Sequence, residues 1–66
     1  MYTVKVKDKK GRYLHQEEVY ELFNVRKNPH DRSGMTFQVT LKRFKPFVNA
    51  MIENGCTIEI IGFIDQ

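Results

Sequence analysis

Four side-chain types in this chain could take part in catalysis: one cysteine, two histidines, one serine and eight carboxylates. Cys56 would act as a nucleophile only as a thiolate, which requires a base such as His15 or His30 close by. Cys56 instead follows Gly55 at the end of a predicted helix. At that place a Schellman motif normally makes an apolar contact back to the helix. We therefore interpret Cys56 as a packing residue.

These side chains do not have the spacing of a metal site or a catalytic triad. His15 and His30 belong to no Cys-x-x-Cys or His-x-x-x-His motif, and a structural zinc usually needs four ligands. His30, Asp31 and Ser33 are triad residue types, but they are neighbours in one loop. We expect Asp31 and Ser33 to bond their own backbone, with Gly34 supplying the unusual φ. The sequence thus predicts no catalytic residue, no metal and no cofactor, and we interpret the protein as a non-enzyme.

Basic side chains do cluster along the sequence, and eleven of them against eight acids give a net charge of +3. If two clusters met on one surface, it would hold a phosphate backbone, and an aromatic ring there would stack a base. The opposing interpretation is a solubilising edge, since lysines on an outer strand discourage edge-to-edge pairing. The polyanion-binding hypothesis uses Lys5, Lys7, Arg12, Tyr13, Arg26, Lys27 and Arg32.

The first half of the chain predicts a β-hairpin. Apolar residues alternate with polar ones over residues 2–7, which is the period of a strand. Gly11 permits the positive φ of a tight turn, so residues 12–15 are expected to return as an antiparallel strand. Residues 16–27 fit either a helix or a strand. Their β-branched and aromatic content favours a strand over 16–25 that continues the hairpin.

The second half predicts a strand–helix–strand unit. A polar loop over residues 28–34 leads to an alternating strand over Met35–Lys42. Apolar residues at i, i+3, i+4, i+7 and i+8 over Phe44–Ile52 predict a helix. Pro46 would lie in its first turn, and Gly55 would follow its end as a left-handed residue.

The last predicted strand, residues 56–64, is apolar on both faces. Plain alternation places Ile58, Ile60 and Ile64 on one face. It places Ile61 and Phe63 on the other. One helix covers one face of a sheet, so the second face must be covered by residues 16–25 or by another molecule. The protein-binding hypothesis places its contact surface at Ile61, Phe63, Tyr20 and Leu22.

Size and composition predict a single α+β domain over residues 1–66. Its elements are an N-terminal β-hairpin followed by a strand–helix–strand unit. They form a mixed sheet of three to four strands with one main helix packed on one face. A single cysteine cannot build a disulfide framework, the first residues lack the apolar core of a signal peptide, and no apolar stretch would span a bilayer. These features favour the cytoplasm.

The sequence predicts a non-enzymatic protein-interaction module, a small regulator or inhibitor that docks on a larger protein or on a second copy of itself. Its contact would be an apolar sheet face or a free strand edge. A chain of this length buries only about 60% of its unfolded surface, so a partner would add stability. The alternative is a nucleic-acid-binding domain that uses the basic clusters on the sheet face and the loop at residues 26–34. We expect no membrane and no metal among its partners.

Overall fold

The structure is a computed structural model that describes residues 1–64. Along the chain the elements are β1 (Tyr2–Lys7), α1 (Gln16–Leu22), β2 (Arg26–Lys27), β3 (Phe37–Val39), α2 (Leu41–Glu53) and β4 (Thr57–Phe63). The strands form one sheet in the order β2-β3-β1-β4, with α2 packed on one face. The predicted α+β class is confirmed. Neither helix within residues 1–64 is long and apolar enough to cross a membrane.

The predicted strand–helix–strand unit is present as β3–α2–β4, but it is split. β3 and β4 run in the same direction because each pairs antiparallel with β1, which lies between them. All neighbouring strands described in residues 1–64 are antiparallel, so the sheet is antiparallel rather than mixed. The element order β-α-β-β-α-β with a split β-α-β unit is the ferredoxin-like arrangement.

The core lies between the inner face of the sheet and the two helices. Its fully buried side chains are Phe37, Phe47, Met51, Val4, Val6, Val19 and Val39. In α2, Phe47 and Met51 are four residues apart and therefore share one face of the helix. Burial of each such side chain contributes about 2 kcal/mol. These contacts fix α2 across the central strands.

Residues 16–22 form α1, so the strand favoured by their composition is wrong. Val19 anchors this helix in the core. At the start of the helix, the carboxylate of Glu18 accepts a hydrogen bond from the N–H of His15 (3.1 Å) and pairs with Arg12 (2.7 Å). Burial and these end contacts outweigh a β propensity that is small per residue. α1 joins the core that α2 contacts and leaves the opposite sheet face uncovered.

The predicted N-terminal hairpin is reduced to a turn and one bridge. Gly11 has a φ of 83°, and the Asp8 carboxylate accepts a hydrogen bond from the N–H of Arg12 (3.0 Å). After the turn, Tyr13 alone bridges to Lys7. The chain then leaves the sheet for α1, and β3 takes the place beside β1.

The helix predicted over Phe44–Ile52 is confirmed, but it starts earlier. α2 begins at Leu41, so the strand predicted over Met35–Lys42 shortens to β3 and Leu41 becomes an exposed helix residue. Pro46 consequently lies beyond the first turn. Because proline has no backbone N–H, α2 lacks the hydrogen bond that another residue would donate at this position.

The C-terminus of α2 matches the prediction. Gly55 has a φ of 75°, and its N–H donates to the carbonyl of Ile52 (2.9 Å). The N–H of Cys56 donates to the carbonyl of Met51 (2.9 Å). These two bonds define a Schellman motif. Cys56 is buried in the same core as Met51, which confirms its packing role.

Candidate functional site

β4 forms one edge of the sheet. It pairs with β1 on one side, and no strand within residues 1–64 pairs with its other side. Hydrogen-bonded pairs alternate along an antiparallel ladder, so every second residue in a regular stretch of β4 directs its N–H and C=O outward. The carbonyl of Val6 accepts a hydrogen bond from the N–H of Leu14 (2.8 Å), which lies on the side of β1 away from β4. Its cross-strand partner Ile58 is therefore one of these outward residues.

A β-bulge at Ile61 determines which residues of β4 face the helices. The register moves from Ile60 to Gly62 between two consecutive residues of β1, so Ile61 is the extra residue. The bulge interrupts the alternation, and Phe63 pairs with Tyr2 on the helix-facing side of the sheet. Plain alternation, which placed Phe63 on the face opposite Ile60, is therefore wrong here.

Phe63 ends a row of three aromatic rings. Tyr2 stacks on Phe44 of α2, with 4.0 Å between ring centroids, and Phe63 lies 4.7 Å from Tyr2. Such pairs contribute about 1 kcal/mol beyond their buried area. Tyr2 holds one side of Phe63, while 49% of Phe63 stays exposed. The ring is thus fixed in position and still accessible to a partner.

The flank of α2 on the β4 side is also apolar. Phe23, just after α1, contacts Phe47 and lies 4.9 Å from the Arg43 guanidinium, so the flank of α2 that carries Arg43 faces α1. The opposite flank carries Leu41, Val48 and Ile52, and Leu41 and Ile52 are 65% and 62% exposed. This flank lies toward β4, because α2 packs against β4 and its Phe44 stacks on Tyr2 beside Phe63. We define the β4–α2 surface as Ile60, Ile61 and Phe63 of β4 with Leu41, Val48 and Ile52 of α2.

The two edges of the sheet are built differently. β2 has two residues, Arg26 and Lys27, and a short, charged edge resists pairing with another strand. β4 has seven residues, and Glu59 is its single charge. Glu59 is partly neutralised by Lys7 on β1, at 3.6 Å. Apart from its bulge, β4 therefore lacks the features that keep an edge strand unpaired.

The four residues of the protein-binding hypothesis divide into two groups. Ile61 and Phe63 are about half exposed on β4. Tyr20 is exposed on α1, whereas Leu22 is half-buried against the core. Because α1 leads to the opposite edge of the sheet, the structure does not bring Tyr20 and Leu22 to Ile61 and Phe63.

Sequence reasoning missed three exposed members of the surface: Leu41, Ile52 and Ile60. The apolar stripe of α2 is wider than the core covers. This extra width, visible in the sequence, indicates an exposed apolar flank. Plain alternation groups Ile64 with Ile58 and Ile60. Ile64 instead bonds to Met1 through both its N–H (2.9 Å) and its C=O (2.6 Å), one position beyond Phe63 and so on the opposite face.

Four of the seven residues of the polyanion-binding hypothesis lie on the helix-free face of the sheet. Lys5, Lys7 and Arg26 belong to that face by the strand register. Tyr13 lies there too, and the ammonium groups of Lys5 and Lys7 are 4.8 and 5.0 Å from its ring centroid. The Tyr13 hydroxyl donates to Glu59 (2.9 Å). The face is therefore polar and basic, with one of its lysines already paired.

The remaining basic residues lie elsewhere. Arg12 pairs with Glu18 (2.7 Å) and Asp8 (3.3 Å). Lys27 pairs in the sheet with Phe37, on the helix side, and Arg32 is exposed in the loop. The basic residues at positions 42, 43 and 45 are on α2, in the other layer. The clusters thus do not form one continuous surface.

The residues considered for catalysis have structural roles in a helix cap, in the core and in a loop. His15 is the N-cap of α1, and burial raises the pKa of the Cys56 thiol. In the loop at residues 28–34, hydrogen bonds from Ser33 and Thr36 lower the pKa of Asp31 to about 2, and Gly34 has a φ of 74°. Residues 1–64 contain no pocket and no group of three side chains that could hold a metal ion.

Comparison with known proteins gives no match. No family model, no curated protein and no solved structure is significantly similar to this chain. Function is therefore inferred from the geometry of the β4–α2 surface.

Proposed function

We propose that this protein is a non-enzymatic interaction module, a small regulator or inhibitor that binds a protein strand along β4. The observation that carries the proposal is the unpaired, apolar edge of β4 beside the exposed flank of α2. We place the protein in the cytoplasm, where the single thiol of Cys56 stays reduced.

Binding would proceed by β-augmentation. An incoming strand gains main-chain hydrogen bonds from the outward N–H and C=O groups of β4, while its alternate side chains find apolar contacts. Ile60 and Phe63 flank those groups and are about half exposed. Covering each of them contributes about 1 kcal/mol. Adjacent Leu41 and Ile52 extend the apolar contact onto the helix layer.

Affinity capture from the native host tests the proposal with three matched forms of the chain. Ile60→Lys places a charge on the β4 edge, and Tyr20→Lys places the same charge on α1 at a similarly exposed residue. We expect the wild type and Tyr20→Lys to retain the same protein and Ile60→Lys to lose it. Circular dichroism checks that both variants fold. A protein that Ile60→Lys retains as well as the wild type contradicts binding along β4.

The alternative function is polyanion binding by the helix-free face. Its support is that Lys5, Lys7, Arg26 and Tyr13 share this face. Phosphate contacts predict an affinity that falls steeply with salt concentration. A gel-shift titration across salt, with Arg26→Glu as the test variant and Lys45→Glu on α2 as the control, decides between the two functions. No binding at low salt eliminates this alternative.

A further inference from the structure

We infer that the strand bound along β4 is β4 of a second copy of this chain. The two copies pair antiparallel about a two-fold axis perpendicular to the sheet and form one continuous eight-stranded sheet. This inference rests on the proposed function and names its partner. An isologous two-fold interface needs a patch that is complementary to itself, and β4 has this property in its backbone, its side chains and its charge.

The backbone of β4 offers a symmetric register. Ile58 directs its N–H and C=O outward, as its partner Val6 shows. The backbone N–H and C=O of Ile64 both bond to Met1, toward β1. The N–H and C=O of the preceding residue, Phe63, therefore point outward. Pairing Ile58 with Phe63 of the second copy brings two outward residues together. The same pairing occurs again on the other side of the axis.

The bulge fits this register. The two-fold axis passes between Ile60 and Ile61, so each copy's extra residue lies across from the other copy's bulge. The number of residues between Ile58 and Phe63 is then equal on both strands. A bulge that would disturb pairing with a regular strand is therefore matched by its own copy.

The side chains are compatible with this register as well. Phe63 faces Ile58 of the second copy, an aromatic ring against a β-branched side chain, which is a favourable cross-strand pair. Glu59, the single charge of β4, lies opposite Gly62 of the second copy, so the two Glu59 carboxylates do not face each other. Arg26 and Lys27 lie at the far edge of each sheet, where their repulsion across the dimer is screened.

The helix layer adds the remaining contact area. An axis perpendicular to the sheet keeps the helices of both copies on the same face, so the two α2 flanks approach each other and bury Leu41 and Ile52. A standard interface takes about 800 Å² from each partner. That is roughly a sixth of the 4580 Å² that one chain exposes, and a strand edge with an adjoining helix flank can supply it.

Light scattering after size-exclusion chromatography tests the inference from about 10 μM to about 1 mM. We expect the wild-type mass to approach twice the 7.9 kDa of one chain. Tyr20→Lys should behave like the wild type. Ile60→Lys should raise the dissociation constant about tenfold or more, because the lysine would be buried without a partner. A wild type that stays monomeric at every concentration overturns the inference, and so does an Ile60→Lys dimer whose dissociation constant equals that of the wild type.

Amide hydrogen exchange gives a readout on the wild type alone. The outward N–H groups of Ile58 and Phe63 should exchange fast when dilute and become protected at high concentration. Protection that does not change with concentration contradicts strand pairing. A monomer whose captured protein is lost in Ile60→Lys would reject the second copy while leaving binding along β4 intact, so the two proposals fail separately.

Discussion

At the start of α1, Glu18 joins three parts of the chain. Its carboxylate accepts hydrogen bonds from the Arg12 guanidinium (2.7 Å) and from the backbone N–H of His15 (3.1 Å). These bonds, that of Arg12 first, lower the pKa of Glu18 from 4.5 to about 2. Because the unfolded chain takes up this proton more readily, the resulting stability is complete above about pH 4.5. It is lost as the pH falls toward 2.

Glu18→Gln should therefore flatten the acid side of the stability curve. Glutamine keeps a capping oxygen at this position but loses the charged bond to Arg12. We expect the variant to be less stable than the wild type at pH 7, with the difference shrinking between pH 4.5 and pH 2. Urea unfolding across this range measures it. Glu17→Gln, which removes a carboxylate from the same helical turn, is the control. A difference that stays constant with pH would contradict the assignment.

Gly55 shows how one backbone conformation ends a helix. Its φ of 75° is costly for any residue with a Cβ atom, and a Cβ there would also contact the Lys9 side chain. Gly11 has a similar φ of 83°, with open space around it. Lys9 is exposed and can move aside. The conformational cost should therefore dominate at both positions.

Gly55→Ala and Gly11→Ala should each lower the free energy of unfolding by about 1–2 kcal/mol. We predict that the two losses are nearly equal, because the two sites share a backbone conformation and differ only in the contact with Lys9. Urea unfolding of both variants measures the two losses. A loss at Gly55 several times that at Gly11 would show that the Lys9 side chain cannot yield.

At the scale of elements, local signals predicted what local chemistry controls. The helix end at Gly55, the turn at Gly11 and the loop around Asp31 follow from residues that bond within a few positions of themselves. The strand prediction for residues 16–22 is wrong because their conformation depends on Val19 reaching a core built by distant strands. The place of β3 beside β1 is equally non-local.

The bulge in β4 could not be predicted for the same reason. Alternation read from the sequence assumes one residue per position, and Ile61 breaks that count only when β4 is aligned on β1. The prediction therefore found an apolar strand with Ile61 and Phe63 exposed but assigned Phe63 to the wrong face. The α2 part of the β4–α2 surface was missed because which helix flank is covered depends on where α1 packs.

Deleting Ile61 tests this account of β4. Without the extra residue, Gly62 follows Ile60 in an unbroken ladder, and Phe63 remains opposite Tyr2. We expect the nuclear Overhauser contacts between the Tyr2 and Phe63 rings to survive the deletion. Their loss, with Phe63 turned to the helix-free face, would show that Ile61 is not the extra residue. Substituting Ile61→Val keeps the bulge and serves as the control.

At the scale of the whole molecule, the large exposed apolar side chains of residues 1–64 lie mostly on one side, because six of the seven belong to α2, to β4 or to Ile64 just after it. The far edge of the sheet is short and basic, its helix-free face is polar, and its long apolar edge adjoins an exposed helix flank. A chain of 66 residues has little stability to spare. Covering this one side therefore affects folding as well as recognition, because a partner that binds only the native state stabilises it by mass action.

The melting temperature of the wild type should consequently rise with protein concentration. A tenfold increase in concentration favours a dimer by about 1.4 kcal/mol, shared between two chains, which corresponds to roughly 3–5 °C for a domain of this size. Tyr20→Lys should show the same slope. The melting temperature of Ile60→Lys should begin to rise only at concentrations about tenfold higher or more, because its β4 edge pairs more weakly. Calorimetry over a hundredfold range of concentration measures all three. A wild-type melting temperature that is independent of concentration would mean that the fold is stable without covering β4.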